Sequence, residues 1–279
     1  MPDEATQEIR GLLRSQLQGE DLALPLLPQV ANRVIELTSD PDASASQISE
    51  LIHSDAALAG QVLRIANSAA YVSQVEIVTL QQAVTRLGFR VLGEIALSAS
   101  LKDGVFNVTG YEGLVANLWR RAMASGHYAK EIARLRRRNV EAAFLCGLLH
   151  EVGRCVVLND LTGVPTELRD QLTDTAVDGL LDEFELAFGQ ALAVKWKLPE
   201  VVHFAIRYYR DVEQAKDCQQ EVLLTSLAHG FSRWLVGDAD ETEISQHPVL
   251  PQLNIYPDEL EALMNKRSAI ETAIEAVTS

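Results

Sequence analysis

Apolar residues recur along this chain with the three-to-four-residue spacing of helices, and nowhere with a sustained alternation of period two. Ile9, Leu12, Leu13 and Leu17 share one face of a helix predicted over residues 4–17. Leu24-Pro25-Leu26-Leu27-Pro28 interrupts it, because proline cannot continue a helix. The pattern resumes at Val30, Val34 and Leu37 and stops at Ser39-Asp40-Pro41. Ser44 with Gln47 has the form of a capping box for a helix burying Ile48, Leu51 and Ile52. Asp55 is placed to cap the next, with Leu58, Val62, Leu63 and Ala66 inward. Thr79 opens a helix ended by Gly88, and another carries Val91, Leu92, Ile95 and Ala96.

After a break at Lys102–Gly113 that holds three glycines, further helices are expected at about 114–135, 140–154, 178–196, 199–209, 219–236 and 257–277. The strand-like runs Val75–Leu80 and Cys155–Leu158 are too short to build a sheet. The expected fold is therefore all-α, a two-lobed helical bundle with lobes at residues 1–105 and 106–279.

Composition narrows the picture. The chain has 279 residues, 47% of them hydrophobic, enough for one large core or two modest ones. No apolar run approaches a membrane span, and the start, MPDEATQEIRGLLR, lacks the basic and apolar regions of a secretory signal. A cytoplasmic protein is expected. Cys146, Cys155 and Cys218 show no C-x-x-C spacing, which argues against a disulfide framework or a thiolate zinc site. A net charge of −15 repels nucleic acid and anionic membranes at long range.

Candidate chemistry gathers in the second half. His150-Glu151, within the apolar stretch Gly147–Gly153, has the residue types of a divalent-metal pair or of a hydrogen-bonded core histidine. His127 and Glu131, four apart, fit two ligands or a plain surface pair. Cys146 lies one turn before His150, but its apolar neighbours favour a buried structural thiol. Seven of the 24 basic residues fall between Arg120 and Arg138, and Lys130, Arg134 and Arg138 recur every fourth residue. That stripe would suit a phosphate or an acidic partner, or simply a solvated face. Leu80–Leu101 has helix-turn-helix spacing, yet its second helix offers one arginine among apolar residues and reads as packing, not as a DNA reader.

Several ordered segments together resemble the HD-related output domain, HDOD. Leu24–Pro28 is similar to its L-P-x-L-P opening, and Ile52–Leu58 resembles its I-x-x-D-P-x-L with alanine in place of proline. Leu63–Ala69 and Ala83–Gly88 resemble its A-N-S and A-x-x-x-L-G elements. Gly147–Gly153 resembles G-L-L-H-D-I-G, and Trp196–Pro199 its W-x-L-P. The resemblance covers about residues 20–230 and implies an HD-like C-terminal lobe related to the HD phosphohydrolases, whose metal ligands are a histidine, a His-Asp pair and a later aspartate.

Carried over residue by residue, that ligand set is degraded here. Arg121 stands at the first histidine, the His-Asp pair reads His150-Glu151, and His229 takes the place of the final aspartate. Of the extra histidines in two-metal relatives, one position holds Glu185 and a His-His pair reads Tyr208-Tyr209. The expectation is a vestigial site at Arg121, His150, Glu151, Glu185, Tyr209 and His229, with no catalysis and no cofactor. If a metal binds at all, His150 and Glu151 hold it. The resemblance implies a bacterial regulatory protein that acts through a protein partner in signalling, without membrane or direct nucleic-acid contact. Two alternatives are a metal-dependent phosphohydrolase and a nucleotide- or anion-binding module using Arg121, Lys130, Arg134 and Arg138.

Overall fold

The computed structural model describes residues 2–19, 22, 24–38, 40, 44–71 and 76–278. Among them every regular element is helical: sixteen α-helices and one short 3-10 turn, with no strand. The all-α expectation holds. Ser39, Pro41 and Val75, which bounded two of the predicted segments, lie outside the described residues.

The first half contains α1 (Pro2–Gln18), α2 (Gln29–Thr38), α3 (Ala45–His53), α4 (Ala56–Ala66), α5 (Leu80–Leu87) and α6 (Phe89–Gly104). Local chemistry starts them where the sequence indicates. The Ser44 N–H donates to Gln47 Oε1 at 2.8 Å, and Asp55 Oδ1 accepts from the N–H groups of Ala57 and Leu58 at 3.0 Å. Thr79 Oγ1 accepts from the Gln82 N–H at 3.2 Å. Helix α6 is the centre of this half: α2, α3, α4 and α5 pack on it, burying Leu92, Ile95, Ala96 and Leu97.

The second half is organised on α7 (Glu112–Leu135), which lies against α8 (Val140–Leu149) and α13 (Gln219–Val236). Helix α9 (Val152–Thr162) crosses α11 (Asp174–Lys195), with α10 (Thr166–Arg169) between them in the chain and α12 (Glu200–Tyr208) packed on α8 and α11. The short α14 (Glu241–Ser245) leads to α15 (Pro257–Met264) and α16 (Arg267–Thr278). Helix α16 returns to α6 and α7, where Lys102 Nζ donates to the carbonyls of Val277 and Thr278 at 3.0 and 2.6 Å. A cation on the last carbonyls of a helix satisfies groups that have no partner within it. One continuous set of buried apolar residues runs from Ile9 to Val277 through both halves.

Four details differ from what the local sequence pattern suggests. The first helix belongs spatially to the second half: α1 packs on α9, α10 and α11, and Arg10 and Arg14 both pair with Glu183 at 2.6 and 2.7 Å. The helix expected at 140–154 is two helices, broken at His150-Glu151, and the one expected at 257–277 breaks after Met264. Cys155–Leu158, strand-like by composition, lies wholly inside α9 and is buried. Its β-branched residues fit a helix hidden on all sides, where packing overrides propensity.

Candidate functional site

The break between α8 and α9 sets the site. Gly147 and Gly153 flank it, and each gives a helix a close neighbour: a Cβ on Gly147 would strike the Ser125 carbonyl of α7, and one on Gly153 would overlap the Glu185 carbonyl of α11. Only glycine permits both approaches, and between them His150 and Glu151 are pressed into the space bounded by α7, α11 and α13. Their exposures are 2% and 4%.

The six positions singled out from the sequence converge. From α7, an Arg121 guanidinium nitrogen donates to Glu151 Oε1. From α13, His229 Nδ1 lies 3.0 Å from His150 Nε2. Tyr209, just past α12, sets its ring edge-on to both imidazoles, with centroids 4.6 and 4.9 Å away. Its hydroxyl donates to Glu185 Oε1 at 2.5 Å. Residues that the sequence reading did not single out complete the cluster. Arg154 pairs with Glu185 and Asp182 and reaches Glu151 Oε1 at 3.3 Å. Arg210 reaches Glu185 at 2.8 Å and donates from Nε to the Tyr209 hydroxyl at 2.9 Å. Asp238 stands 3.7 Å from Arg121 at the rim. The signal for Arg154 was its place one turn after Glu151; Asp182 and Asp238 carry no sequence signal, since only the crossing of helices brings them in.

Hydrogen bonding fixes the imidazole tautomers. His150 Nδ1 lies 2.7 Å from the Gly147 carbonyl, which can only accept, so the proton is on Nδ1. Burial holds His150 at a pKa of about 4, and the ring is neutral at pH 7. Its Nε2 is then an acceptor, and His229 Nδ1–H donates to it. Burial also keeps His229 well below the usual histidine range. Glu151 experiences the opposite balance: burial raises its pKa, but the charge of Arg121 first, with other neighbours including Arg154, overcomes this and holds it at about 2. Burial raises Glu185 and Tyr209.

These residues can be tested against a divalent ion. Atoms of His150, Glu151 and His229 lie within 4.8 Å of one another, the one such group among the described residues, and Glu151 Oε2 is buried without a hydrogen bond. Against this, the His150 lone pair already accepts from His229, and Glu151 Oε1 is held by one guanidinium with a second beside it. Three carboxylates, Glu151, Asp182 and Glu185, face three guanidiniums, Arg121, Arg154 and Arg210. With Asp238 beside Arg121 the carboxylates exceed the guanidiniums by one, so a divalent cation would leave a net positive charge in a largely buried space and compete with the guanidiniums for the same oxygens. The arrangement does not fit a resident metal.

The remaining candidates separate. His127 is half-buried against the edge of Phe144, with desolvation holding its pKa near 3, while Glu131 pairs with Arg134 and Lys266; they do not form a common site. Burial pushes the Cys146 thiol up, in keeping with an inert cysteine. The basic stripe does not survive as one face. Lys130 is buried and paired with Glu94, Arg134 pairs with Glu131, and Arg138 lies beyond the end of α7 at Leu135. The helical four-residue repeat cannot apply past that end.

A family model described as the HDOD domain matches residues 24–212. A Treponema pallidum (strain Nichols) protein without assigned function is 28% identical over 233 residues, covering 78% of this chain and 44% of the relative. The chain thus spans less than half the length of that relative. Among solved structures, a Shewanella amazonensis protein provisionally named a metal-dependent phosphohydrolase aligns at TM-score 0.75 with 24% identity, covering 98% of this chain and 99% of that one. A Marinobacter aquaeolei VT8 protein provisionally named for signal transduction aligns at TM-score 0.71 with 22% identity, covering 98% of this chain and 66% of that one. At such identities the likeness establishes the fold, and function has to be argued from the site.

Proposed function

This chain belongs to the HDOD family, and from that premise we propose that it is a regulatory protein of bacterial signalling that acts through contacts with a protein partner and carries out no hydrolysis. The observation that carries this reading is the Arg121–Glu151 ion pair at the position where the HD phosphohydrolases hold a metal. Hydrolysis of a phosphoester in that superfamily needs an ion to lower the pKa of water and to neutralise phosphoryl charge as it develops. Here a fixed guanidinium takes the carboxylate, and a neighbouring imidazole takes the histidine lone pair. One carboxylate oxygen and the histidine lone pair are thus engaged within the protein, and Glu151 Oε2 alone is left without a hydrogen bond. The signal-transduction name of the Marinobacter relative is consistent with the same reading.

The test is metal content by elemental analysis on the chain purified without chelator, with manganese, iron, nickel and zinc scored per chain. The expected result is well below one ion per chain and no change on His150→Ala. Near-stoichiometric metal that His150→Ala removes, with phosphodiesterase activity that follows it, would replace this reading with the metal-dependent phosphohydrolase.

A further inference from the structure

A cavity of about 100 Å³ lies where the two halves meet, at the junction of α2, α3, α6 and α8 and remote from the His150 cluster. Its lining is mixed: Val34, Ile48, Leu97, Phe144 and Leu145 give an apolar part, and Asp40, Arg90, Glu94 and Glu141 a polar one. The space opens to solvent at one side and is more enclosed than the shallow clefts elsewhere on the surface. Apolar cavities of roughly this size stay dry and admit benzene-sized guests.

One polar group distinguishes this cavity from a packing defect. Glu94 of α6 lies in the cavity wall with its side chain 12% exposed, and Lys130 bonds to its Oε2. No described residue donates a hydrogen bond to its Oε1, and this atom is not sealed off from a solvent-sized probe. At the mouth Arg90 and Glu141 neutralise each other, and Lys130 balances Glu94. The lining therefore offers an apolar slot and an acceptor oxygen, with its nearest charges already paired.

We propose that this cavity is a binding site for a small, flat, apolar molecule bearing one hydrogen-bond donor, such as a phenol or an aryl amine, with the donor directed to Glu94. Walls from both halves contribute, α2, α3 and α6 from one and α8 from the other, so a guest contacts both at once. The site is independent of the vestigial centre and stands or falls separately from the function proposed above.

The experiment uses the full chain and two ligands of nearly the same shape, phenol and toluene, titrated by calorimetry and by ligand-observed saturation-transfer NMR. A wholly apolar cavity takes toluene and rejects phenol, whose hydroxyl would be buried without a partner. The expected result is that phenol binds at least as tightly as toluene. Gly93→Leu and Leu37→Phe, which fill the slot from two different helices, should each abolish binding of both. The first added carbon at Gly93 meets Val34 and Ile48 at 3.6 and 3.7 Å, ordinary contact distances that admit Gly93→Ala, which serves as the milder filling variant; circular dichroism melts check that each variant folds. Toluene binding without phenol binding would overturn the ligand class, and binding of neither, or binding retained in every folded variant, would overturn the site.

Discussion

Arg121 of α7 and Glu151 at the α8–α9 break, thirty residues apart in the chain, meet as a largely buried ion pair. Their side chains are 12% and 4% exposed, so the pair is dry on one side and close to water on the other. This contact joins α7 to the α8–α9 break.

Removing one partner of such a pair leaves the other charged and buried. Arg121→Ala should lower unfolding stability by about 3 kcal/mol, the low end for a buried pair, because Arg154 remains 3.3 Å from Glu151. Urea melts at pH 7.5 measure it. Arg121→Met combined with Glu151→Leu should recover most of the loss; a double variant as unstable as Arg121→Ala would show that the pair is not what holds the joint.

Acid should weaken the fold in two stages. His150 and His247 are held at about 4 and His127 at about 3, chiefly by burial, against an unfolded value near 6.5. The unfolded chain therefore takes up protons first, and stability falls as pH drops from about 6.5 towards 4. Glu151 behaves in the same sense lower down: its depressed pKa contributes stability that is complete above about 4.5 and lost as pH falls towards about 2. Denaturation midpoints at pH 8, 6, 5 and 4 test this; a flat profile between 6.5 and 5 would contradict neutral buried histidines.

Asp160 acts in the opposite direction. It sits in α9 with Oδ2 buried and without a hydrogen bond, and burial raises its pKa to about 6. Its contribution is fully present below about 3.8 and lost as pH rises through about 6, so at pH 8 it is a net cost. Asp160→Asn should therefore raise stability by about 1 kcal/mol at pH 8, a figure discounted for partial solvent access, and by less at pH 5. Equal effects at both pH values would rule out the carboxylate charge as the cause.

Two glycine substitutions should differ sharply. A Cβ at Gly153 overlaps the backbone of α11, whereas one at Gly179, in the same α11, meets nothing within 4 Å. Gly179→Ala should stabilise by about 0.5–1 kcal/mol through helix propensity. Gly153→Ala should destabilise by about 3 kcal/mol or more, because α9 and α11 must separate and Glu185 moves with them. Thermal melts of the two variants side by side measure the contrast.

Much of the site was legible in the sequence because several of its members stand at motif positions. His150-Glu151 sits in Gly147–Gly153, Tyr209 follows Trp196–Pro199 at a set distance, and the family resemblance ordered them along the chain. The members outside any motif were not legible. Arg154 reaches Glu185 and Asp182 because Gly153 allows α9 to lie against α11, and Arg210 reaches the same two carboxylates from the end of α12. The basic stripe failed for a related reason: spacing is a helical argument, and it carries no information past the residue where the helix stops.

The sequence by itself determined the helical class and the caps, since apolar periodicity and side chains such as Asp55 and Thr79 act within a few residues of their own position. Which helix lies beside which was decided only in three dimensions. That includes α1 on α11, the opposition of three guanidiniums to three carboxylates, and the void between α6 and α8. Burial, pairing of charge and packing volume depend on groups distant in the chain, and a local pattern holds no record of which distant group will arrive.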